Sequence, residues 1–70
     1  MENNIEKEIL NYLTDNFPKD YSIEELSKTL NYNRKTISTY LKVLEAKEDV
    51  LFTRKIGNAK MYSKNHLNSA

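Results

Sequence analysis

The sequence predicts a mostly helical α+β domain in which three helices are followed by a C-terminal β-hairpin. Three observations carry this expectation. Apolar residues recur at the spacing of a half-buried helix up to about Lys47. A capping box and a short Asn-rich turn divide that helical region into pieces. After Asp49 the period changes, and two runs rich in branched and aromatic residues flank Gly57-Asn58. At 70 residues the chain makes one small domain, near the size at which a single core is only marginally sufficient.

The first helix is expected from about Asn4 to Asn16, with Ile5, Ile9, Tyr12 and Leu13 on one stripe and Leu10 beside it. Asn3 or Asn4 caps it, and it ends before Phe17-Pro18 because the residue preceding a proline disfavours helical backbone. Ser22-Ile23-Glu24-Glu25 is an S-x-x-E capping box, so a short second helix follows from about Ile23 to Leu30 with Ile23, Leu26 and Leu30 inward. Asn31 suits the left-handed conformation that closes a helix, and Asn33 is a strong N-cap for a third helix starting at Arg34 and running to about Lys47. Two helices joined by so short a turn form a helix-turn-helix. Val50–Ile56 and Ala59–Ser63 are the hairpin strands, and Gly57-Asn58 is the primed two-residue turn between them. The stretch from Lys64 to Ala70 has no strong periodicity and is expected to be a tail in which Leu67 packs back on the core.

Composition excludes several classes. Cysteine is absent, so neither a disulfide framework nor a thiolate metal site can form. The longest apolar runs are as short as Val50-Leu51-Phe52, which leaves no membrane span or signal-peptide core. A cytoplasmic protein with no membrane contact is expected. His66 stands alone without a second metal ligand or catalytic partner, and Gly57, the single glycine, is used by a turn, so no phosphate-binding loop is available. No enzymatic activity, cofactor, metal or small-molecule effector is expected.

Net charge is only +1, but it divides along the chain: residues 1–32 carry −4 and residues 33–70 carry +5. A basic half usually faces an acidic partner; the alternative is that an imbalance of this size arises by chance in a charge-rich domain. The third helix sharpens this. Ile37, Leu41 and Leu44 form its apolar stripe, while Ser38, Lys42, Lys35 and Thr39 fall between about 100° and 200° from Ile37 around the axis. Between Asn33 and Val43 there is no Asp or Glu. An acid-free face of cations and hydroxyls suits a phosphate-lined groove, and Arg34 in the first turn lies at its edge. In the hairpin, Arg54, Lys55 and Lys60 can neutralise phosphates or enter the minor groove; the alternative is that they are edge-strand charges that oppose aggregation. Tyr12, Phe17, Phe52 and Tyr62 are expected in the core, and Tyr32 and Tyr40 either complete it or reach a phosphate.

The stretch "YSIEELSKTLNYNRKTISTYLKVLEAKEDVLFTRKIGNAKMYS" carries a resemblance. It resembles the winged helix-turn-helix family of DNA-binding transcription regulators over about residues 5–63. The shared features are a capped short helix, a polar turn, a recognition helix of the form S/N-R-x-T-[VI]-S-x-x-L-x-x-L, and a wing ending in a K/R-x-Y strand. One departure is that many members have Gly just before the first wing strand, where this chain has Asp49. The resemblance implies a three-helix helix-turn-helix core with a C-terminal β-hairpin wing, that is, a winged helix over residues 1–63 with 64–70 as a C-terminal tail.

It implies sequence-specific binding of double-stranded DNA as a small transcription regulator. The third helix would lie in the major groove and the wing on the backbone or minor groove. The expected contact residues are Asn33, Arg34, Lys35, Thr36, Ser38, Thr39, Lys42, Arg54, Lys55 and Lys60. From Lys35 to Lys42 the helix spans about 10 Å, roughly three base-pair rises, so useful specificity calls for a homodimer with recognition helices about 34 Å apart. The first helix and the tail are the candidate dimer surfaces. Winged helices also serve as protein-interaction modules within larger assemblies, and this is the alternative function.

Overall fold

Apolar stripes decide how the helices meet. The computed structural model describes residues 4–65 and gives α1 (Asn4–Asp15), β1 (Tyr21–Ser22), α2 (Ile23–Leu30), α3 (Arg34–Ala46), β2 (Val50–Ile56) and β3 (Ala59–Lys64). Ile9 and Leu13 of α1, Leu26 of α2, Ile37, Leu41 and Leu44 of α3 and Val50 of β2 are all but fully buried, and Tyr62 of β3 closes the cluster. Each such aliphatic side chain stabilises the fold by roughly 1.5–3 kcal/mol relative to exposure. Three helices and the sheet therefore share one core, and the half-buried Ile5, Leu10, Tyr12, Ile23 and Tyr40 pack around it.

The junctions follow from local chemistry. Ser22 accepts a hydrogen bond from the Glu25 N–H while the Glu25 carboxylate accepts from the Ser22 N–H, so the capping box is complete. Asn31 takes the left-handed conformation (φ 62°) and the Tyr32 N–H closes back on the Ser27 carbonyl at 3.1 Å. Asn33 then caps α3 through its side-chain oxygen, which accepts from the N–H groups of Lys35 and Thr36. At the other end of α3 the Glu48 N–H reaches the Glu45 carbonyl and the Asp49 N–H reaches the Leu44 carbonyl. This pair of bonds is a Schellman motif. It requires a left-handed residue, and that residue is Glu48 (φ 66°) rather than a glycine.

The hairpin forms between β2 and β3 around Gly57, whose φ of 60° places positive φ at the first central position of the two-residue turn. A third strand was not expected. β1 pairs antiparallel with β3, Tyr21 opposite Tyr62 and Ser22 opposite Met61, giving the order β1-β3-β2. Two residues are too few to show alternation, and Ser22 reads in the sequence only as a helix cap. The register of β2 slips between Phe52 and Arg54, leaving Thr53 as a bulge.

Two expected core residues are not in the core. Phe17 is 43% exposed because α1 stops at Asp15, so its side chain has left the helical stripe. Phe52 is 44% exposed on the edge strand β2; its ring meets Tyr62 edge-on at 6.1 Å, and among the described residues no strand lies beyond β2. Tyr12 is half-buried against Tyr21, with ring centroids 5.0 Å apart, and Tyr62 is buried as expected. β3 runs through Lys64, and the expectations for His66, Leu67 and the rest of 66–70 lie outside the described residues.

The Glu48 backbone is testable. A non-glycine residue in the left-handed region costs about 1–2 kcal/mol, and glycine returns about 0.5–1 kcal/mol of that through its larger unfolded-state entropy. Glu48→Gly is expected to stabilise the domain by about 0.5–1 kcal/mol, raising the melting temperature by several degrees. A lower melting temperature would show instead that the Glu48 side chain holds the junction.

Candidate nucleic-acid interface

The sequence places the apolar stripe of α3 inward, so the opposite side of the helix must face out. Arg34, Lys35, Thr39 and Lys42 are exposed, and Thr36 and Ser38 are half-buried at the margins. The Asn33 side-chain oxygen is engaged by the helix N-terminus, and the Thr39 hydroxyl donates to the Lys35 carbonyl at 2.9 Å. In this conformation Thr39 therefore offers a ligand its oxygen as acceptor, not its proton.

A cleft of about 640 Å³ opens between α3 and the wing. Arg34, Ser38 and Lys42 supply one wall, Ile56, Asn58 and Lys60 the other, and Ser22, Ile23 and Glu24 at the start of α2 close it. Four of the ten expected contact residues, Arg34, Ser38, Lys42 and Lys60, thus meet in one place. Lys35 and Thr39 lie on the exposed face of the same helix. Lys55 stands opposite Lys60 in the strand register. The other seven cleft residues, Glu24, Asn58 and Ile56 among them, were not anticipated as site residues. Glu24 reads in the sequence as an N-terminal helix acid, Asn58 as a turn residue, and Ile56 as a strand residue; only the packing of the wing against α2 and α3 brings them together.

Arg54 goes elsewhere. It pairs with Met61 in register, whereas Lys55 pairs with Lys60, so alternation sends Arg54 and Lys55 to opposite faces of the wing. Its guanidinium grips Asp20 with two bonds, Nε to Oδ2 at 2.9 Å and Nη2 to Oδ1 at 3.1 Å, and the bulged Thr53 hydroxyl donates to the same Oδ2 at 2.6 Å. Asp20 is 14% exposed, and the hydrogen bonds from Arg54 and then Thr53 hold its carboxyl below the ordinary value of 3.8. Arg54 is correspondingly held above its ordinary range by Asp20. The middle of the wing is thereby tied to the segment between α1 and β1.

Tyr32 settles into the body of the protein. Its hydroxyl donates to Glu8 Oε2 of α1 at 2.6 Å, and that bond, more than its partial burial, raises the phenol above its ordinary range. Among the described residues no group of three or more His, Cys, Asp or Glu is placed to hold a metal ion, and no helix is long and apolar enough to cross a membrane.

Three helices, a left-handed turn before an exposed basic helix, and a two-stranded wing define a winged helix-turn-helix. The chain belongs to the bacterial regulatory protein arsR family, whose model matches residues 6–48, from α1 through the helix-turn-helix to the Schellman junction. This is a family of non-enzymatic DNA-binding transcription regulators. Comparisons with curated proteins and with solved structures gave no match.

The Asp20–Arg54 tie carries a pH signature. A carboxyl whose folded pKa is depressed contributes stability in full above its unfolded value, and that contribution fades as pH falls through the folded value. Asp20→Asn is expected to lower the melting temperature near neutral pH, with the gap from wild type narrowing below about pH 4. A gap that stays constant down to pH 2 would remove Asp20 from the acid response.

Proposed function

We propose that the protein is a sequence-specific duplex-DNA binder that acts as a small transcription regulator in the cytoplasm, with α3 in the major groove and the wing along the adjacent backbone or minor groove. The observation that carries this reading is the shared cleft. An acid-free helix face supplies Arg34, Ser38 and Lys42, and the wing brings Lys60 to the same opening. Lys35, Thr36 and Thr39 extend the reading face, Lys55 positions the wing on phosphate, and the Asn33 cap presents the positive end of the α3 dipole.

Arg54 contributes indirectly in this scheme, by fixing the wing through Asp20. A single copy spans only a few base pairs, so the functional unit is a homodimer on a two-fold site, with α1 and the 64–70 tail as its candidate interface.

The test is binding to a random-sequence duplex across a salt series, with wild type beside Lys35→Ala/Lys42→Ala. Wild type is expected to bind with a steep inverse salt dependence, and the variant to lose nearly one unit of log–log slope for each phosphate contact removed. Glu24→Gln, which neutralises the one carboxylate among the cleft residues, is expected to bind the same duplex about two- to threefold more tightly at low salt. No binding by a folded sample at low salt would favour the protein-interaction module instead.

A further inference from the structure

A recognition helix reads DNA only if its two ends are held. The apolar stripe of α3 supplies affinity for the core, but burial is non-directional and by itself defines the angle of the helix less sharply than directional bonds do. Two polar contacts sharpen that angle, one near each end of α3, and both come from α1. At the N-terminal end, Tyr32 in the turn donates its hydroxyl to Glu8. The same residue is held locally, its N–H on the Ser27 carbonyl and its carbonyl accepting from the Ser27 hydroxyl. At the C-terminal end, Lys47, the capping residue of α3, forms an ion pair with Glu6.

Glu6 and Glu8 are two positions apart on α1, about 200° around its axis, so they leave the helix in nearly opposite directions. That divergence lets one turn of α1 reach both ends of a helix about 20 Å long. We propose that Glu8 with Tyr32, and Glu6 with Lys47, are positioning residues for DNA reading: they fix the angle of α3 without touching DNA. A tilt of about 10° would carry each end of α3 roughly 2 Å from its place, enough to misalign side chains with base edges. This inference rests on the duplex-DNA reading above.

The sign of the effect separates positioning from charge. Removing an acid from a DNA-binding protein strengthens binding if only electrostatics matter. Removing a tie weakens binding to a preferred sequence and spares random DNA. The experiment uses the full chain as wild type, Tyr32→Phe, Glu8→Ala, the double variant and Glu6→Gln, each checked for folding by circular dichroism. Probes are a random duplex and a duplex enriched by wild type from a randomised pool.

Tyr32→Phe and Glu8→Ala are each expected to weaken binding to the enriched duplex about three- to tenfold, with the salt slope unchanged and random-duplex affinity within about twofold. The double variant should be no weaker than either single one, since both remove the same bond. Glu6→Gln should lower the enriched-to-random ratio in the same direction. Should Glu8→Ala unfold, Glu8→Gln replaces it, with the same loss expected in smaller measure.

Equal loss on both duplexes in Tyr32→Phe would mean a direct phosphate contact and overturn the proposal. Tighter binding by the Glu8 variant, or a double variant as weak as the product of the singles, would overturn it as well. Wild type that binds and enriches DNA, beside variants with unchanged ratios, would sink the positioning role alone. Wild type that binds neither duplex would sink the DNA reading and the positioning role with it.

Discussion

The burial of Ile37, Leu41 and Leu44 is the constraint on which the rest depends. These three side chains point from α3 into a core that also receives Ile9, Leu13, Leu26 and Val50. Once they are committed inward, the helix has no freedom to choose which residues it shows to solvent, and Lys35, Thr39 and Lys42 are exposed by geometry. The fold thereby converts a hydrophobic period into an oriented basic surface. A domain of this size has little apolar area to spare, so the core sets the rotation of α3 about its own axis while other contacts must fix its ends.

Charge takes up that second task. The acidic first half of the chain invites a reading as a patch that opposes the basic second half across the molecule. Most of its carboxylates are instead occupied one at a time. Glu6 meets Lys47, Glu8 meets Tyr32, Asp20 meets Arg54 and Thr53, Glu25 completes a cap, and Glu24 meets Lys28 at 3.2 Å. The acids therefore act largely as fasteners. With the exception of Glu24, what remains toward the cleft is cationic or neutral, which reconciles a net charge of +1 with a surface suited to phosphate.

The legible parts of the sequence were those governed by local rules. The Ser22–Glu25 box, the left-handed Asn31, the Asn33 cap and the Gly57 turn each depend on one or two residues whose chemistry leaves few alternatives. The less legible parts depend on partners distant in the chain. β1 exists only because Tyr21 and Ser22 lie beside β3, and Tyr32 is claimed by Glu8, 24 residues away. Phe52 obeys the strand pattern yet is exposed, because alternation gives a side chain its face but does not say whether anything covers the outer edge. The missing junction glycine is a different case. The left-handed requirement does exist, but it falls on Glu48, one residue before the Asp49 position at which the family pattern drew attention.

The wing shows how a strand rule limits a charge argument. Arg54, Lys55 and Lys60 are close together in a hairpin, and proximity alone suggests one basic cluster. Neighbouring strand residues face opposite ways, however, so Arg54 and Lys55 cannot both line the same surface. The bulge at Thr53 decides which one does: it is the extra residue between the Phe52–Tyr62 and Arg54–Met61 pairs, and it shifts the remaining register so that Lys55 sits opposite Lys60. Lys60 reaches the cleft while Arg54, together with the bulged Thr53 itself, is turned to Asp20. One inserted residue thus gives the wing two distinct sides, one carrying Lys55 and Lys60 and one anchoring the hairpin to the body. That anchor adds to the hold that β1 and the buried Val50 and Tyr62 already give the wing, and it lies on the side away from Lys55 and Lys60.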